Sequence, residues 1–146
     1  MKYQLSIEGS GGTINIDKDS GVIKKIDIKI SQSDKSANDR SDQLFADLVI
    51  HGLLTDKSQE QTKDMFNWSM KTDKASVYTV VSIKVFNQEE LLRDYYLKDM
   101  YCTSYQESFD EYVSESDGRS SDSIGSFVLE MKQRKGSIET IKVECN

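Results

Sequence analysis

Histidine is almost missing from this sequence: His51 is the only one in 146 residues. Any nucleophilic triad or imidazole metal site would have to be built on it. Its place beside Gly52, at the end of an apolar run, suits a loop residue with no chemistry. Other signatures of catalysis are missing too. No Gly-x-Ser-x-Gly elbow, His-Glu-x-x-His helix or Ser-x-x-Lys pair occurs, so the expectation is a protein that is not an enzyme and needs no metal and no cofactor. Cysteine is scarce: Cys102 and Cys145 have no Cys-x-x-Cys companion. Two isolated cysteines without a secretion signal read as thiols in a reducing cytoplasm rather than as a disulfide framework. No apolar run approaches the roughly 18 to 20 residues of a membrane helix, and the first residues pass into alternating sequence without the apolar core of a signal peptide. Positive charge is in deficit: 19 Lys and Arg against 25 Asp and Glu leave a formal net charge of -6. That balance opposes a nucleic-acid backbone or an anionic membrane as the main partner.

What the chain does have is alternation. Its length fits one domain with one core over residues 1–146, and apolar residues recur with the period of two that marks half-buried strands. Tyr3, Leu5 and Ile7 share one face of a first strand. Gly9-Ser10-Gly11-Gly12 turns the chain into residues 13–16; it has neither the spacing of a dinucleotide fingerprint nor the Gly-Lys-Ser/Thr ending of a phosphate loop. Asp17-Lys18-Asp19-Ser20-Gly21 reads as a hairpin turn. It is not a calcium loop, because Ile28 stands where a bidentate Glu is needed. Residues 22–30 form a strand with Ile26, Ile28 and Ile30 on one side.

Residues 31–42 hold no large apolar side chain and are expected to form a long polar surface loop. A strand over 44–51 ends at Gly52. Between Thr55 and Met70 the period becomes helical, with Thr62, Met65, Phe66 and Ser69 on one face, Trp68 and Met70 at its edge, and Thr55, Asp56 or Ser58 as caps. Asn67-Trp68-Ser69 matches a glycosylation sequon, but on a helix without a secretion signal the match is accidental. Residues 77–86 read as a central strand. A turn at 87–89 leads into a long extended region, 90–112, broken near Lys98-Asp99. A strand at 126–134 turns at Lys135-Gly136-Ser137 into a last strand, 138–145. The fold class is therefore mainly β: a small β-barrel of about eight mostly antiparallel strands with one α-helix plugging one end.

Charge is unevenly spread. Glu107, Asp110, Glu111, Glu115, Asp117 and Asp122 against Arg119 alone put a net -5 into residues 107–122, and an acidic loop is expected at 110–123. Lys132, Arg134, Lys135 and Lys142 outweigh the carboxylates on the final hairpin. Opposite charges on different surfaces suit a head-to-tail contact that repeats.

The order of these pieces resembles the tube proteins of contractile injection systems, the group of the haemolysin-coregulated protein and phage-like tail tubes. The matching pieces begin with Asn38-Asp39-Arg40-Ser41-Asp42, Leu48-Val49-Ile50-His51-Gly52 and a helix ending Trp68-Ser69. They continue through Val77-Tyr78-Thr79-Val80, Tyr96-Leu97 with Tyr101, Ser104-Tyr105-Gln106-Glu107-Ser108-Phe109, and Gly125-Ser126-Phe127-Val128-Leu129 leading to Gln133-Arg134-Lys135. The resemblance implies a β-barrel with one helix that assembles into six-membered rings, which stack into a hollow tube. It implies other copies of the chain as partners, with sheath and baseplate proteins and a secreted cargo. Assembly would be cytoplasmic, with export as part of an injection particle or secreted tube. In this family a loop near residues 31–42 bridges subunits, so Asp39, Arg40 and Asp42 become candidate interface residues. Lys132, Arg134 and Lys135 are candidates for the surface that meets the acidic segment. The acidic stretch is longer than the short glycine-containing turn the family pattern suggests. The reading from a different class is a monomeric β-barrel that binds a small ligand or protein, with Phe66, Trp68 and Met70 near its mouth.

Overall fold

The computed structural model describes residues 1–9, 11–33, 40–109 and 123–145. Eight strands form one sheet: β1 (Lys2–Gly9), β2 (Gly12–Ile16), β3 (Ile23–Gln32), β4 (Leu44–Thr55), β5 (Thr79–Asn87), β6 (Glu90–Ser108), β7 (Ser123–Gln133) and β8 (Lys142–Glu144). Every pairing is antiparallel, in the order β2-β1-β5-β6-β7-β4-β3, with β8 laid on β6 off that path. Three helices are described, α1 (Arg40–Gln43), α2 (Gln59–Ser69) and α3 (Lys74–Val77), and only α2 exceeds four residues. The architecture is the expected one, mainly β with one substantial helix.

Alternation places the core. Leu5 and Ile7, Ile14 and Ile16, Leu48 and Ile50, Val81 and Ile83, and Phe127, Leu129 and Met131 all point inward and form one buried cluster. Each such side chain contributes about 1.5–3 kcal/mol on burial. β5 sits between β1 and β6, so it is central in the sheet as expected, with one face buried and the other half-exposed. β6 turns the corner of the sheet at Asp99, which takes a positive φ of 59°, at the break expected near Lys98-Asp99. The N-terminal part of β6 pairs with β5 and the C-terminal part with β7, so this one strand links the two halves of the sheet. The ladder does not close, since no pairing joins β2 to β3 among the described residues. The core instead bridges the gap.

α2 covers the core with Thr62 and Met65. Its approach is fixed by Thr55: Lys57 N–H donates to Thr55 Oγ1 (3.2 Å) while Thr55 N–H donates to Ser58 Oγ (2.9 Å), a reciprocal cap. Phe66, expected on the inward face, is 45% exposed. The helix leans on the sheet through Thr62 and Met65, which rotates Phe66 to the edge and brings Trp68 against the core instead.

Five boundaries differ from the sequence expectation. Residues 17–21 are not a hairpin turn: Lys18–Ser20 form a 3₁₀ turn that ends at Gly21 with φ 68°, and the strands it joins pair with β1 and β4, not with each other. β3 reaches Gln32 and α1 starts at Arg40, which shortens the expected loop of residues 31–42 at both ends; residues 34–39 lie outside the described ones. β4 runs through Gly52 to Thr55, because the glycine makes room for a neighbour rather than stopping the strand. Val77 closes α3, and β5 begins at Thr79. Finally, Ile138–Thr140 form a 3₁₀ turn, and β8 pairs with β6. There is no final hairpin, and Lys142 does not lie beside Lys132. The acidic segment beyond Phe109, residues 110–122, lies outside the described residues.

Candidate assembly surface

Two features of the sheet present chemistry outward: its open edges and a strip of cations and aromatic rings on its outer face. At the open side β3 turns Ile26, Ile28 and Ile30 toward the core side of the sheet, yet Ile30 is 51% exposed and the other two are only half-buried. Opposite Ile26 and Ile28 lie Met1, Tyr3, Val85 and Tyr95, and these six with Leu92 and Arg93 line a groove of about 540 Å³, while Ile30 stands exposed beyond it. Apolar surface collected at an unclosed sheet edge is surface that the described residues leave uncovered.

The second feature is built by register. Lys132 stands opposite Tyr101 across the β6–β7 ladder and opposite Asp47 across the β4–β7 ladder. Its ammonium lies 5.4 Å from the Phe45 ring centre. Tyr101 meets Tyr78 edge to face at 5.8 Å, and the Arg134 guanidinium lies 5.7 Å from the Tyr78 ring. The result is a continuous strip, Phe45, Lys132, Tyr101, Tyr78 and Arg134, in which each cation rests on a ring quadrupole. Among the described residues no carboxylate pairs with Lys132, Arg134 or Lys135. Asp47 is engaged elsewhere, accepting from Ser31 Oγ at 2.9 Å.

The strip is pinned from beneath by Gln133, which is buried. Its Oε1 accepts Ala46 N–H at 3.3 Å, and its Nε2 donates to Lys98 O at 3.1 Å and Ser137 O at 2.9 Å. One amide therefore locks β4, the bend of β6 and the turn after β7 in place. Lys132 and Arg134 flank it in the chain, so their backbones are held with it.

Of the residues named from sequence, the structure brings Lys132 and Arg134 together on this strip. Lys135 is exposed in the next turn. Asp42 is exposed on α1, two residues before β4, at the same end of the sheet as Phe45. Asp39 lies outside the described residues, as does the side chain of Arg40. The aromatic members Phe45, Tyr78 and Tyr101 were not named as interface residues; their only signal in the sequence is alternate spacing on outward faces, which does not report that three distant segments meet. Phe66, Trp68 and Met70 do not converge on one mouth. Trp68 lines a groove of about 300 Å³ beside the β1–β2 connection, Phe66 lines another with Phe109, and Met70 is exposed.

Among the described residues a few titratable groups depart from their ordinary values. Glu89 is held down to about 2 by its ion pairs with Lys18 and Lys2, an exposed cluster at the β5–β6 turn. Burial raises the Cys102 thiol and the Tyr105 phenol, the latter also through Glu107 beside it. Both cysteines are free. Among the described residues no three His, Cys, Asp or Glu side chains converge on a metal position.

No family model matches the chain and no curated protein matches it in sequence; the likeness is one of structure. An Hcp protein known from its crystal structure matches with a TM-score of 0.59 at 13% identity, over 100% of this chain and 99% of that one. The sheath–tube complex of an extracellular contractile injection system, PVC, in its extended state contributes a chain that matches with a TM-score of 0.57 at 14% identity, over 99% of this chain and 89% of that one. Hcp1 from Flavobacterium johnsoniae matches with a TM-score of 0.55 at 13% identity, over 98% and 96%. The chain has the fold of these Hcp and injection-system proteins from end to end.

Proposed function

We propose that the chain is a structural subunit whose six-membered rings stack into the inner tube of a contractile injection system. The observation that carries this reading is a sheet of the Hcp fold that stops at two edges, β2 and β3, with apolar surface left uncovered beside β3. Joining an edge of one copy to an edge of the next would continue the ladder and bury Ile26, Ile28 and Ile30. A contact between different edges is heterologous, and it closes into a ring when the rotation per copy allows it.

In this reading the whole chain acts as one tube unit. Asp39, Arg40 and Asp42 lie on the connection between β3 and β4 and contact neighbouring subunits, while Lys132, Arg134 and Lys135 form part of a second contact. Further partners are a sheath and a baseplate outside the tube and a secreted cargo within it. The tube is built in the cytoplasm and leaves the cell with the particle. No step requires catalysis.

Sedimentation velocity over a range of concentrations tests the reading. The wild-type chain should show a species of six copies, and Ile30→Lys, which alters an already exposed side chain, should shift it toward the monomer while leaving thermal unfolding unchanged. A wild-type chain of monomeric mass at every concentration would overturn it.

A further inference from the structure

β7 holds the two charged features of this chain at opposite ends. It starts at Ser123, where the chain returns from the acidic stretch, and it ends at Gln133, between Lys132 and Arg134. Residues 110–122 contribute five of the six carboxylates of the -5 segment. Across the eleven residues of β7, at roughly 3.3 Å per residue, Arg134 lies about 36 Å from the start of the strand. The strip therefore lies at the end of β7 opposite the point where the chain returns from the acidic stretch.

We infer that the strip of Phe45, Lys132, Tyr101, Tyr78 and Arg134 is the docking surface for the acidic segment 107–122 of a second copy of this chain. This rests on the tube reading, in which copies meet head to tail, and deepens it by naming the two faces of one contact. Three observations select that occupant. The strip's cations have no carboxylate partner among the described residues, so their charge is available. The rings of Phe45, Tyr78 and Tyr101 hold the cations at the surface and lower the ordering needed on contact. The complementary charge exists in the same sequence, in a segment that joins β7 at the end opposite the strip. Single-stranded nucleic acid also favours cations set among rings, but a chain of net charge -6 repels it, whereas the acidic segment is carried by every copy.

A charge swap tests the inference with full-length chains. One variant carries Lys132→Glu and Arg134→Glu, which makes the strip acidic. The other carries Glu111→Lys, Glu115→Lys and Asp117→Lys, which makes the segment basic. Each alone should assemble at a midpoint concentration at least about tenfold higher than wild type, and an equimolar mixture should recover wild-type assembly, because each mixed contact again joins opposite charges. Raising salt from about 50 mM to about 500 mM should weaken the wild type and the mixture alike. Lys132→Gln with Arg134→Gln, which removes the two charges without reversing them, serves as the second strip variant and should also raise the midpoint, and circular dichroism verifies that every variant folds. Wild-type assembly by either single variant, or no recovery in the mixture while wild type assembles, would overturn the inference and leave the tube reading standing. Assembly driven by added single-stranded DNA and lost with the strip would overturn it in favour of a nucleic-acid surface. A wild type that never assembles would overturn both.

Discussion

The ring of Phe127 occupies the space where Gly52 would carry a side chain: a Cβ at Gly52 would stand 2.4 Å from two atoms of that ring. The two residues are register partners across the β4–β7 ladder, and Phe127 is almost fully buried. A glycine in mid-strand is therefore the condition for placing the largest side chain of the core.

Gly52→Ala should destabilise the fold by overpacking, by about 1–3 kcal/mol. Denaturant unfolding should show a lower midpoint with an unchanged slope. An unchanged midpoint would mean that Phe127 moves aside without cost.

Gln133→Leu should be worse than its volume suggests, because it leaves Ala46 N–H, Lys98 O and Ser137 O without their partner. The expected loss is about 2–4 kcal/mol, again read from the unfolding midpoint. Assembly should suffer too, since the same amide holds the backbone on which Lys132 and Arg134 stand.

Glu89 gives a pH signature. Its folded-state carboxyl titrates near 2 against an ordinary 4.5, held down first by Lys18 and then by Lys2. A depressed carboxylate stabilises the fold fully above about pH 4.5 and loses that contribution as pH falls toward 2. Glu89→Gln should flatten the acid limb of stability between those values, and carbon-detected titration of Glu89 should place its midpoint well below the ordinary 4.5.

Arg40→Glu should weaken assembly without unfolding the protein. In the tube reading Arg40 meets a neighbouring subunit, and reversing one charge across such a contact changes it by about 1 kcal/mol, about fivefold in the assembly midpoint. An unchanged assembly profile would remove Arg40 from the interface.

Most of the fold could be read from the chain because most of it is governed by local periodicity. Val81 and Ile83, or Leu129 and Met131, announce their inward face by alternation, and Lys98-Asp99 announces the corner of β6. The misreadings fall where a distant partner decides. Gly52 reads as a stop until Phe127 is placed against it, and residues 17–21 read as a hairpin until β3 is found paired with β4. Phe66 obeys helical spacing, yet the sheet meets α2 through Thr62 and Met65. The candidate assembly surface was legible only in its charges. Lys132 and Arg134 stood out in the sequence, but the rings that seat them come from residues 45, 78 and 101, and only the register of three strands brings them together.

Electron microscopy of the purified full-length chain at raised concentration tests the central claim most directly. The account predicts six-fold rings with a central hole, stacking into tubes as concentration rises. Uniform particles the size of a single chain, with no rings at any concentration, would contradict it.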